Sequence, residues 1–140
     1  METLLNMVPA FAVITLLFAA CLAWKVARQE SGNERMREIA GSISEGAQAF
    51  LTAEYKILIV FVAILFVLIG LGVGNWITAV CFAFGAVFST LSGFFGMKVA
   101  TRANVRTANA AMKSGMNKAL SIAFSGGAVM GMCVAGYGVL

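Results

Sequence analysis

Residues 57 to 73 read ILIVFVAILFVLIGLGV, a run of apolar residues and glycine without one charge or proline. A helix rises about 1.5 Å per residue, so this run and its flanks suffice to cross a hydrocarbon core about 30 Å thick. The rest of the chain supports that reading. Of its 140 residues 61% are hydrophobic and only 11% charged, whereas a soluble domain is about half apolar and a quarter charged. A domain this small cannot hide that much apolar surface from water, so lipid must cover it. The fold class expected is all-α, a polytopic transmembrane bundle with four spans in this sequence.

Outward from residues 57–73, three further apolar stretches complete the set. Residues 4–27 form the first span, with Pro9 in its early turns, where a missing N–H is tolerated, and Trp24 and Lys25 at its end. The third covers 76–97, beginning at the interfacial Trp76 after the glycines Gly70, Gly72 and Gly74, and the fourth covers 119–140. The connection between the second and third is short enough to make them antiparallel neighbours. The fourth ends without a polar anchor, and we expect residues 1–140 to be the N-terminal part of a single, longer membrane domain.

The charges occupy two polar segments, about 28–56 and 98–118. Lys25, Arg28, Arg35, Arg37 and Lys56 flank or fill the first, and Lys98, Arg102, Arg106, Lys113 and Lys118 the second, so that all ten basic residues fall on one side. The positive-inside rule makes that side cytoplasmic and places the N-terminus outside; Glu2, the one charge in the N-terminal tail, agrees. The net charge of +4 therefore reports topology, not nucleic-acid binding, which spreads cations over a solvated face. Within the first segment Met36, Ile39, Ala40, Ile43, Ala47, Phe50 and Leu51 recur at helical spacing, an amphipathic helix running on into the second span. Ser31 and Glu34 match a capping box at its start.

Candidate chemistry is sparse. Aspartate and histidine are absent, and the six glutamates lie outside the apolar cores. Hydrolytic metal chemistry and ion relays need converging carboxylates or ionisable groups at depth. The missing carboxylate in the first span also separates this chain from the small four-span multidrug exporters. Cys21, Cys81 and Cys133 stand alone in apolar sequence, with neither disulfide nor zinc spacing, and the segment before Cys21 lacks the positive start of a signal peptide. Glu30, Glu34 and Glu38 share a stripe that reads as a solvated face. Arg102, Arg106 and Lys113, with Asn109 between, form a cationic stripe suited to anionic lipid head groups or to steering a phosphate compound. Gly85, Ser89 and Gly93, and Ala123, Gly127, Gly131 and Ala135, have the four-residue spacing of helix-packing seams and imply a larger bundle.

Three stretches together resemble the N-terminal part of the membrane-bound, ion-translocating inorganic pyrophosphatases. The first is Gly32-Asn33-Glu34-Arg35-Met36 leading into Glu38-Ile39-Ala40 and Glu45-Gly46-Ala47-Gln48-Ala49-Phe50-Leu51, then Glu54-Tyr55-Lys56. The second is Gly96-Met97-Lys98-Val99-Ala100-Thr101-Arg102-Ala103-Asn104-Val105-Arg106-Thr107-Ala108. The third is Gly115-Met116-Asn117-Lys118-Ala119-Leu120 with Gly126-Gly127-Ala128-Val129-Met130-Gly131. The resemblance implies a homodimer in the cell membrane that hydrolyses pyrophosphate at a cytoplasmic Mg²⁺ site and couples this to outward H⁺ or Na⁺ transport, these four spans belonging to an outer ring of helices. The family's Asp-rich catalytic motif has no counterpart in residues 1–140. No catalytic, cofactor-binding or metal-binding residue is therefore assigned in this chain, and alone it is expected to be inactive. The rival reading is a self-contained four-span accessory protein without enzymatic activity.

Overall fold

Four helices form along the chain: α1 (Glu2–Ala27), α2 (Glu34–Gly72), α3 (Trp76–Ser114) and α4 (Met116–Val139). The computed structural model describes the backbone of residues 2–140 and the side chains from Met7 onward, so those of Glu2 and Asn6 lie outside it. All four helices are long and apolar enough to cross a membrane, as the composition requires. The amphipathic segment and the second span are one continuous helix of 39 residues. At about 1.5 Å per residue it is roughly twice as long as a hydrocarbon core is thick, so its polar half projects beyond the bilayer.

The second polar segment is also helical for most of its length. The apolar third span continues without a break to Ser114, and Gly115 alone separates it from α4, at φ +88°, a left-handed conformation open to glycine. At the other end of the bundle Val73, Gly74 and Asn75 join α2 to α3. Gly74 has φ +67°, and the Asn75 side chain accepts a hydrogen bond from the Ile77 N–H at 2.9 Å, satisfying an orphan donor of the first turn. The start of α2 departs from the expected capping box. Asn33 is the N-cap, its Oδ1 accepting from the Met36 N–H at 2.9 Å. Ser31 lies two residues too early, in the non-helical linker, where Gly32 turns the chain at φ +83° before Asn33.

Packing does not follow chain order. α3 and α4 share the largest interface, α1 packs mainly on α4 and only lightly on α3, and α2 touches α3 alone. Helices consecutive along the chain from α2 onward run antiparallel, as do α1 and α4. Tyr55 Oη donates to Thr90 O at 3.1 Å between α2 and α3. Gly136 near the end of α4 meets Leu16 in the middle of α1, while Val26 at the end of α1 clusters with Ala119 and Ile122 at the start of α4. Between α3 and α4 the buried Ser92 hydroxyl donates to Cys133 O at 3.3 Å, while Phe88 and Tyr137 stack with centroids 5.6 Å apart. An interhelical hydrogen bond at this depth satisfies a polar group that lipid could not.

Within these four helices α4 packs through a different face from its small-residue seam. Ala123, Gly127, Gly131 and Ala135 are exposed in this four-helix unit, and a Cβ added at Gly127 or Gly131 would meet nothing within 4 Å. The buried face is Ala119, Ile122, Gly126, Val129, Cys133 and Gly136. Both sets recur at helical spacing. What separates them is the neighbour: a Cβ on Gly126 would stand 2.7 Å from Ala103 Cβ on α3. Likewise Gly85 and Ser89 on α3 are exposed, and Ser92, Gly96 and Ala103 carry the contact.

Candidate functional site

Because α1 and α2 are consecutive in sequence but do not touch, the linker Arg28–Asn33 has to cross from α1 to α2. It passes over α3, and the residues that hold it are the polar stripe on that helix. Arg106 donates through Nε to Gln29 O at 3.0 Å and through Nη2 to Ala27 O at 3.2 Å. Ala27 O is one of the terminal carbonyls that a helix leaves without an internal partner, and a cation there also opposes the helix dipole. A third bond from Nη1 to Arg102 O at 2.8 Å fixes the guanidinium on its own helix. Partial burial, then the neighbouring Arg102 charge, lower the Arg106 pKa from its ordinary value, without threatening ionisation.

One turn on, Asn109 Nδ2 donates to Glu30 O at 3.2 Å. Asn109 is only 4% exposed, and its Oδ1 has no hydrogen-bond partner among the described residues. Gly32 packs against it: a Cβ there would lie 3.3 Å from Asn109 Oδ1 and 2.5 Å from Met36 Sδ, and φ is +83°. Close approach and backbone conformation both call for glycine at this position. Lys113 Nζ completes the row, pairing with Glu30 Oε2 at 2.9 Å. That hydrogen bond and the Lys113 charge hold the Glu30 carboxyl below its ordinary range. Around the crossing opens a polar cleft of about 480 Å³, with Arg28 and Lys118 on its walls.

The cationic stripe is thus largely committed inside the chain. Arg106 and Lys113 hold the linker, although Lys113 stays exposed like Arg102, which has no ion pair among the described residues. The acidic stripe dissolves in the same way, since Glu30 belongs to the non-helical linker and pairs with Lys113, while Glu38 pairs with Arg35 at 2.7 Å. Among the described residues no three His, Cys, Asp or Glu side chains converge, so the residues present do not fit the Mg²⁺ that the resemblance implies. The linker crossing was not foreseeable from spacing alone, because it depends on α1 and α2 being apart. Its one sequence signal is the polar asparagine buried on an otherwise cationic stripe.

A bundle of four long apolar helices, with every cation at one end, defines a multi-pass helical membrane protein. The chain belongs to the inorganic H⁺ pyrophosphatase family, whose model matches residues 13–140. A protein of Clostridium tetani provisionally named a K⁺-stimulated pyrophosphate-energized sodium pump is 58% identical over 120 residues, 86% of this chain and 18% of its own length. A K⁺-insensitive pyrophosphate-energized proton pump of Methanosarcina mazei is 43% identical over 100% of this chain and 21% of its own. A K⁺-stimulated pyrophosphate-energized sodium pump of Thermotoga maritima is 43% identical over 91% and 18% respectively. The chain therefore spans about a fifth of the length of these relatives.

Proposed function

We propose that these 140 residues are the N-terminal, outer-ring section of one membrane domain in a pyrophosphate-energized pump that moves H⁺ or Na⁺ outward across the cell membrane. The observation that carries this reading is the family match over nearly the whole chain, in relatives about five times longer. Those relatives are named as pumps, which favours this reading over an accessory protein. Pyrophosphate is then the substrate of the complete pump, Mg²⁺ its cofactor and a second copy its partner in a homodimer. Catalytic and metal-binding residues then belong to the remainder of the pump; among the described residues of this section no carboxylates converge. Its part is structural: four helices for others to pack on, and a basic end that sets orientation, cytoplasmic by the positive-inside rule.

Mg²⁺-dependent phosphate release from pyrophosphate tests the reading when the complete pump and the 140-residue chain are each assayed in liposomes. The complete pump is expected to hydrolyse pyrophosphate and the short chain to match a protein-free control. Hydrolysis by the short chain would overturn the division of labour. For orientation, a cysteine placed at Ser114 should resist an impermeant thiol reagent added to intact cells, and ready labelling would reverse the assignment.

A further inference from the structure

On the other side of Gln29 and Lys118 from the linker crossing, a smaller open cleft of about 120 Å³ lies between the end of α1 and the first turns of α4. Its polar wall is Lys25, Gln29, Lys118, Ser121 and Ser125, and its base includes the buried Val26 and Ile122, part of the cluster that locks α1 to α3 and α4. Neither lysine forms an ion pair among the described residues; Lys118 meets Glu30 only as a weaker, longer-range charge. Arg28 adds a third cation at the same end of α1, held with its guanidinium 3.8 Å from the Trp24 ring centroid. The first turn of α4 has no side-chain cap, so its free N–H groups add to the positive potential. Two helices thus bring unneutralised cations to one concave place, while Ser125 donates to Ser121 O at 2.7 Å and Gln29 Nε2 to Lys25 O at 3.4 Å on its wall.

The level and surroundings of this cleft identify what it takes. Tryptophan and lysine at a span end mark the head-group layer. Below Lys25 on the same face of α1, four, seven and eleven residues back, come Cys21, Phe18 and Ile14. Phe18 is 50% and Ile14 60% exposed, and Phe124 on α4 is 81% exposed. A cationic cleft thus opens onto an uncovered apolar track. We infer that the cleft between α1 and α4 binds the head group of an anionic phospholipid, its phosphate between Lys25 and Lys118 and its acyl chains along α1. A free phosphate would use the cations and leave the apolar track bare. Basic pockets between helices at this depth are suited to such head groups.

The test uses the complete pump, delipidated in detergent and offered equal phosphatidylglycerol and phosphatidylcholine, with bound lipid counted by native mass spectrometry. The parent should prefer phosphatidylglycerol, and that preference should fall about fivefold for each lysine removed in Lys25→Gln and Lys118→Gln. Lys98→Gln, at an exposed cation above the Phe94 ring, should leave it unchanged. Equal losses in all three variants would reduce the effect to general surface charge and overturn the site. Displacement of phosphatidylglycerol by millimolar inorganic phosphate would make it a small-anion site, and no preference in the parent would mean that other helices of the pump cover the cleft; either result ends the proposal. Because the readout is bound lipid, it stands or falls separately from pyrophosphate hydrolysis.

Discussion

α2 and α3 are both 39 residues long and both carry an apolar half and a polar half, yet they are used in opposite ways. α3 touches all three other helices and buries Ala79, Ser92, Gly96, Ala103, Asn109 and Ala110, whereas α2 touches only α3 and buries Gly70 alone, beneath Trp76. Tyr55, Leu58, Val62, Leu65, Phe66 and Ile69 of α2 are half-buried, and most of its other large apolar side chains stay uncovered within these four helices, among them Ile57 at 72% and Ile59 at 69% exposed. Hydrophobicity does not sort the two helices, since both cross lipid. Small and polar residues at the contacts do: in a bilayer apolar side chains gain nothing by leaving lipid, so association rests on close approach and hydrogen bonds. α3 has both, and α2 has Tyr55 and Gly70.

The largest effect expected from breaking that contrast is at Gly126, where any side chain meets Ala103 of α3. Gly126→Leu should destabilise the complete protein by about 1–3 kcal/mol, the usual cost of overpacking, seen as a lower thermal midpoint in detergent. Gly131→Leu, in the small-residue seam that these four helices leave open, should also lower it, because that spacing implies that further helices of the pump pack there. An unchanged midpoint would show that this face meets lipid.

Next comes the linker. Arg106→Gln removes bonds to Ala27 O and Gln29 O and leaves the end of α1 uncapped, which should cost about 1–2 kcal/mol, given that hydrogen bonds from charged donors exceed neutral ones and that this site is partly wet. Faster proteolysis within residues 28–33 would locate the loss, and unchanged proteolysis would show that Asn109 and Gly32 hold the linker alone. The smallest effect concerns Glu30. Its carboxyl is held below the ordinary range chiefly by the Lys113 hydrogen bond, so the pair's stabilisation is present above the ordinary carboxylate pKa and lost as pH falls through the folded value. The pair is exposed, so Glu30→Gln should only slightly flatten the acid side of a melting-temperature profile, less so at high salt. A steeper acid loss in the variant would contradict the assignment.

The four spans were legible from composition and run length, since each apolar stretch is long enough to cross a bilayer and every basic residue lies in or beside the polar segments between them. The amphipathic start of α2 was legible from its three- and four-residue spacing. What spacing could not supply was the partner. On α4 the set at Gly127 and Gly131 and the set at Gly126 and Val129 both recur at helical spacing, and the position of Ala103 and Ser92 on α3 decides which of them these four helices bury. The stripe at Arg102, Arg106, Asn109 and Lys113 was visible as one helical face, but its use depends on a linker crossing it, a matter of helix order and not of sequence pattern.

That helix order also bears on synthesis. α1 emerges first, yet most of its packing is against α4, which is made last of the four, after the 88 residues 28–115 have intervened. Contacts so far apart along the chain close late. While α2 and α3 pair through Tyr55 and Gly70, α1 remains in lipid with little to hold it except the linker across Arg106 and Asn109. The crossing thus acts as a tether, keeping the first helix beside the place that the fourth will fill.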